Sequence, residues 1–208
     1  MMGNMNLNGT VSADAGPDGA GVLMLCTANV CRSPMAAALL ARRLVTLGAR
    51  VPVGSAGRLT DGAAPDPVAV AVMARYGLDI SGHASRAARQ VDLRQAGLIL
   101  AMSRENLRFA VVAEPTAWPR AFTLAELVRR AGPAGPRPPG EPLGAWLARV
   151  AAGRQRAELL GDCPSDDVAD PTGGPQRGYA ETAALLDVLT ARLAELGWAG
   201  SVHTETAR

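Results

Sequence analysis

The sequence predicts an α/β protein: a three-layer sandwich in which a four-stranded parallel sheet is flanked by helices. Three observations carry that prediction. Short apolar runs of strand length recur at residues 22–25, 51–54, 98–102 and 120–123. Each is followed by a segment with helical spacing, and a tight loop from Cys26 to Ser33 joins the first run to its helix. Strands alternating with helices imply parallel pairing through crossover connections, with both faces of the sheet covered.

Residues 1–20 are small, polar and Gly-rich, so they bury too little apolar surface to offset their ordering entropy and are expected to be disordered. The domain is expected to span 21–198. After the first strand, Met35, Ala38, Leu39 and Val45 have helical spacing. The second strand leads to a helix over 67–76, the third to a helix over 104–112, and the fourth to a helix over 124–130. Residues 131–144 hold five Pro and four Gly and read as an irregular insertion, either a surface excursion or a segment that shapes the site. Residues 143–160 are helical in composition. The stretch 176–196 places Leu185, Leu186, Leu189, Leu193 and Leu196 along one side, with Gly197 as a C-cap candidate. Residues 199–208 read as a flexible tail.

Composition limits the partners. There are 21 basic and 19 acidic residues, a net charge of only +2, so nothing calls for nucleic acid. Every basic residue except the two His is Arg, which together with the abundant Ala, Gly and Pro points to a GC-rich bacterial genome. Three Cys are too few and too unevenly spaced for a disulfide framework. No secretory signal pattern and no apolar run of membrane-spanning length is present, and a cytoplasmic protein is expected. No cluster of His, Cys and carboxylates suggests a metal, and neither a metal nor a cofactor is predicted.

The informative segment is Cys26-Thr27-Ala28-Asn29-Val30-Cys31-Arg32-Ser33-Pro34. It lies where a parallel strand ends and a helix begins. Ligands bind there in open α/β sheets, because a helix start offers unpaired N–H groups and a positive dipole end to an anion. Ser33 suits the N-cap and Pro34 suits the first helical position. Five residues between Cys26 and Arg32 can wrap their amides around a tetrahedral oxyanion with the thiol at the floor. The Arg fork can hold two phosphate oxygens as Lys could not. Amides and guanidinium together favour Cys26 as a thiolate nucleophile.

This string resembles the active-site signature of the low-molecular-weight protein-tyrosine-phosphatase family. The resemblance continues in family order through Val53-Gly54-Ser55-Ala56-Gly57, Pro65-Asp66-Pro67, His83, Arg89-Gln90-Val91, the runs 98–102 and 122–124, and Val168-Ala169-Asp170-Pro171. It implies Cys26 as nucleophile, Arg32 as phosphate ligand and Asp170 as general acid. It also implies supporting hydrogen bonds from Asn29, Ser33, Ser55 and His83 around a cradle completed by Thr27, Ala28, Val30 and Cys31. The substrate it implies is a phosphotyrosine protein or a small aryl phosphate.

Two departures bear on specificity. Ala28 stands where the family usually has Gly, and a Cβ there costs about 1 kcal/mol if the backbone needs positive φ. Thr172, Gly173 and Gly174 follow Pro171 where tyrosine-directed members often place aromatic residues. Cys31 has two readings, a reversible disulfide partner for Cys26 or a space-filling thiol. Arsenate reduction is disfavoured because no further Cys follows Met102 in the adjoining stretch to relay a disulfide. Phosphoarginine hydrolysis resembles a subgroup with Thr at the place of Val30. A phosphate-binding pseudophosphatase is the alternative of a different class.

Overall fold

The computed structural model describes residues 21–59, 61–161 and 163–201; the expectations for residues 1–20 and for the end of the tail lie outside them. In chain order the elements are β1 (Val22–Cys26), α1 (Arg32–Thr46), β2 (Val53–Gly57), α2 (Pro67–Ala74), α3 (Gln90–Gln95) and β3 (Leu98–Ala101). There follow α4 (Arg104–Ala113), β4 (Ala121–Thr123), α5 (Leu124–Ala134), α6 (Leu143–Val150) and α7 (Gln176–Trp198). The four strands form one parallel sheet in the order β2-β1-β3-β4.

Strand alternation builds the two faces. Val22, Met24, Leu98, Leu100 and Phe122 point into one core with α1, α2, α5, α6 and α7. Leu23, Leu25, Ile99, Ala101 and Ala121 point into a second core with α3 and α4. All residues of β1 and β3 are buried, which explains why these strands read as continuous apolar runs rather than alternating ones. β1 lies between β2 and β3, so the connection leaving its carboxyl end opens at the point where the strand order changes direction.

Several boundaries differ from the sequence reading, each for a physical reason. α1 starts at Arg32 with Cys31 at the N-cap, so Ser33 and Pro34 lie inside its first turn and not at its boundary. β2 runs to Gly57 because Ser55, Ala56 and Gly57 pair with β1, and α3 was not anticipated. α5 runs into the Pro-rich segment as far as Ala134, with Pro133 inside its last turn, and Gly135 at φ +80 follows it. The helix expected over 143–160 stops at Val150. Gly153 at φ +76 reverses the chain, and Arg156–Leu160 forms a 3₁₀ turn.

α7 continues through Gly197 to Trp198, and Ala199–Ser201 forms a 3₁₀ turn. Gly197 therefore lies inside the helix and not at its cap, with the Trp146 ring 3.8 Å from where a Cβ would stand. Leu185 and Val45, assigned to apolar stripes, are 43% and 69% exposed, whereas Leu186, Leu193 and Leu196 are core. The segment after α6 is tied down firmly. Arg154 lies between the rings of Trp118 and Phe122, 3.9 and 4.0 Å from their centroids, and forms a buried ion pair with Glu126.

Candidate functional site

The Cys26–Ser33 loop leaves the end of β1 and closes on the first turn of α1. Cys26 Sγ lies 3.0 Å from Ser33 Oγ and accepts a hydrogen bond from the Asn29 amide at 3.2 Å. Moving the helix start to Arg32 makes the first contact possible, because Ser33 turns its hydroxyl toward the sulfur instead of capping. The amides at the start of α1 have no intrahelical carbonyl to bond and are therefore available to an anion.

Asn29 shapes the loop. Its φ of 56° is the only positive value at a non-glycine residue among those described, a conformation that Asn tolerates better than most residues. Fully buried, it donates from Nδ2 to Ser33 Oγ at 2.8 Å and to Ser55 Oγ at 2.9 Å, and its Oδ1 accepts from the Arg86 amide at 2.9 Å. Its carbonyl oxygen bonds His83 Nε2 at 2.7 Å. Burial holds the His83 imidazole below its ordinary value; the bond to Asn29 opposes this, and the Arg86 guanidinium adds to it. The ring is therefore neutral near pH 7, with the proton on Nε2.

Ala28 takes no positive φ, so its Cβ carries no backbone strain. The glycine packed against this loop that cannot carry a Cβ is Gly57, where one would lie 2.7 Å from Thr27 O and 2.9 Å from Asn29 N. β2 thus backs the loop at van der Waals distance. Val30 accepts a hydrogen bond at its carbonyl from the Asp66 amide at 2.9 Å, and Thr27 accepts from the Arg58 amide at 2.7 Å. Cys31 is buried, and its thiol donates to Met35 Sδ at 3.7 Å; burial, assisted by Asp170 and Asp66, pushes it up to about 12. All three cysteines are free.

The structure brings Arg32 and Asp170 together. The guanidinium donates to Asp170 Oδ2, to Val168 O at 3.1 Å and to Thr27 Oγ1 at 3.4 Å. Of the neighbouring described acids, Asp166 is fully buried against Arg104 and Arg129, and Asp167 accepts from the Arg104 amide at 2.7 Å. Of these three, Asp170 is the one whose carboxylate bonds Arg32. A cavity of about 400 Å³ opens here, lined by Thr27, Arg32 and Asp170 together with Ser103, Glu105, Arg108 and Asp167 among others. None of its lining residues is aromatic.

Sequence reasoning missed three supports. Asn106, fully buried on α4, donates from Nδ2 to Thr27 Oγ1 at 3.3 Å. Gly57 is a second, with its approach to the loop. The third is a contact between Asp66 and Tyr179, 113 residues apart. The 3₁₀ turn after α6 also reaches this neighbourhood. Arg108 of the cavity donates to Leu159 O at 2.8 Å, and Arg104 donates to Glu158 O.

Residues 21–133 match the family described as low molecular weight phosphotyrosine protein phosphatase. The chain belongs to this family. Membership makes it a phosphatase, a hydrolase built on the parallel sheet and loop-to-helix junction just described. Among similar proteins is the probable low molecular weight protein-tyrosine-phosphatase EpsP of Ralstonia solanacearum, 38% identical over 106 residues, or 51% of this chain and 71% of that one. A protein-arginine-phosphatase of Geobacillus stearothermophilus is 30% identical over 175 residues, covering 84% of this chain and 93% of that one. A solved low molecular weight protein tyrosine phosphatase from T. tengcongensis superposes with a TM-score of 0.63 at 31% identity, covering 84% of this chain and 97% of that one. No described helix is long and apolar enough to cross a membrane.

Proposed function

We propose that the chain hydrolyses phosphate monoesters of aryl leaving groups, phosphotyrosine in a protein foremost, through a phosphocysteine on Cys26. The observation that supports this reading most is that Cys26 Sγ sits on the Asn29-braced loop whose Thr27 and Arg32 line a cavity together with Asp170, the carboxylate paired with Arg32. Arg32 and the loop amides hold three oxygens of the phosphoryl group. The Cys26 thiolate attacks phosphorus, the ester P–O bond breaks, and Asp170 gives its proton to the departing oxygen. Water then attacks the phosphocysteine, Asp170 takes a proton from it, and the S–P bond breaks to release phosphate and the thiolate. Ser33, whose hydroxyl already faces the sulfur, stabilises that thiolate as it leaves.

The proposal is tested by trapping. Asp170→Ala is slow to break down the intermediate, so acid quenching during turnover leaves phosphate on the peptide that contains Cys26, read by mass spectrometry. Phosphate found on another residue, or none found while turnover continues, contradicts the mechanism.

One observation supports a second reading, dephosphorylation of arginine. The cavity lacks an aromatic wall, and Glu105 and Asp167 line it, groups suited to a guanidinium leaving group. The protein-arginine-phosphatase relative, which aligns over most of the chain, fits the same reading. Matched phosphotyrosine and phosphoarginine peptides, compared by kcat/KM, separate the two.

A further inference from the structure

We propose that Tyr179 and Asp66 are positioning residues that hold the Asp170 loop in register with the phosphate loop, an inference that rests on reading Asp170 as the general acid. The two loops are far apart in sequence, and besides the direct bonds from Arg32 to Asp170 Oδ2 and Val168 O a short chain of hydrogen bonds joins them. Asp66 donates from its amide to Val30 O at 2.9 Å, so its backbone is fastened to the cradle. Its carboxylate is divided between two tasks. Oδ1 caps α2 by accepting from the amides of Val68 at 2.8 Å and Ala69 at 3.3 Å, and Oδ2 accepts from the Tyr179 hydroxyl at 2.7 Å. The same hydroxyl accepts from the Gly173 amide at 3.3 Å.

Gly173 belongs to the turn that follows Asp170. It has φ +76, and Gly174 closes the turn by donating to Pro171 O at 2.9 Å. Within the turn, Asp170 Oδ1 accepts from the Thr172 amide at 3.2 Å and from its hydroxyl at 2.8 Å. The turn carrying the acid is thus an internally bonded unit. Its link through Tyr179 ends on the residue that grips Val30.

A phenol suits this junction because it can donate one hydrogen bond and accept another, which Phe cannot do. Tyr179 is only 2% exposed, on the first turns of the long helix α7, so its hydroxyl is set by the core and not by solvent. Burial, with the bond to Asp66, pushes the phenol up to about 12, and it remains a donor at any pH used for assay. For a residue that merely fills space, a ring without the hydroxyl would serve.

The test is the dependence of kcat/KM on leaving-group basicity, measured over a series of aryl and alkyl phosphates for wild type, Asp170→Asn and Tyr179→Phe. A well-placed acid flattens this dependence, since it protonates a poor leaving group as it departs. Tyr179→Phe is expected to lose about tenfold with a basic alkoxide leaving group, against about twofold with para-nitrophenolate, because misplacing a catalytic group slightly costs most where proton transfer matters most. Its vanadate inhibition constant is expected to stay within about twofold of wild type, the cradle being intact.

A uniform loss across all leaving groups, or a wild-type slope in Tyr179→Phe alongside a steep one in Asp170→Asn, overturns the positioning role and leaves Asp170 as the acid. A wild-type slope in Asp170→Asn overturns the reading of Asp170, and the positioning role falls with it. If Tyr179→Phe does not fold, Asp66→Ser provides the same test. Its hydroxyl still caps α2, but it has no second oxygen for Tyr179.

Discussion

The guanidinium of Arg32 and the carboxylate of Asp170 form an ion pair that closes 138 residues of chain onto the phosphate loop. Arg32 is nearly buried, whereas the Asp170 side chain is 43% exposed, so the acid is the partner with solvent to turn into. An oxyanion that enters the cradle must take Oδ2's place on the guanidinium and tolerate the like charge beside it. Asp170→Ala is therefore expected to lower the vanadate inhibition constant by about twofold to fivefold, the scale of one partly solvated ion pair. An unchanged constant would show that the pair does not compete with ligand.

Asn29 is the most connected side chain of the loop. Asn29→Ala strands Ser33, Ser55 and the Arg86 amide and puts a residue poorly suited to φ 56 at a buried position. A stability loss of about 2–4 kcal/mol is expected in denaturant unfolding. Asn29→Gly relieves the backbone but not the missing amide group. It should recover part of the stability and none of the activity.

Gly57 tests the backing of the loop. Gly57→Ala places a methyl 2.7 Å from a backbone oxygen of Thr27, and neither strand nor loop can give way cheaply. A displacement of the loop by a fraction of an ångström should lower kcat/KM by about 100-fold. Circular dichroism should show the fold retained, and Ala28→Gly, at a position without positive φ, should change stability by less than about 1 kcal/mol.

Much of this arrangement was legible in the sequence, because it is local. The spacing from Cys26 to Arg32 and the strand before it point to the loop that the structure sets at the end of β1, and the resemblance through Asp170-Pro171 points to the carboxylate that pairs with Arg32. Local rules failed where a tertiary contact took precedence. Ser33-Pro34 has the chemistry of a helix start, yet Arg32 already has helical geometry and Ser33 faces the sulfur. Gly197 has the chemistry of a cap, yet it lies inside α7 against Trp146. The Asp66–Tyr179 contact has no signal in either segment, since each residue alone reads as an ordinary helix cap or core aromatic.

His83 should give the fold a pH dependence of known sign. Its folded value is held below the ordinary 6.5, chiefly by burial, while the unfolded ring titrates near that value. Its Nδ1 has no hydrogen-bond partner among the described residues, so a second ring proton would be buried and unpaired. The unfolded chain then binds the proton first. The His83 contribution is complete above 6.5 and is lost as pH falls through the lower folded value. Between about pH 7 and about pH 5, the Tm of wild type should fall more than that of His83→Gln, which keeps a donor for Asn29 O but does not titrate. Parallel curves would contradict this.

The central claim is that Cys26 carries the phosphoryl group. The most direct measurement is para-nitrophenyl phosphate hydrolysis in EDTA and reductant by wild type and by Cys26→Ser, with vanadate binding as the control for an intact cradle. The account predicts EDTA-resistant turnover in wild type and none above background in Cys26→Ser. Turnover that survives in Cys26→Ser, or a wild-type protein that binds vanadate without hydrolysing the ester, would contradict it.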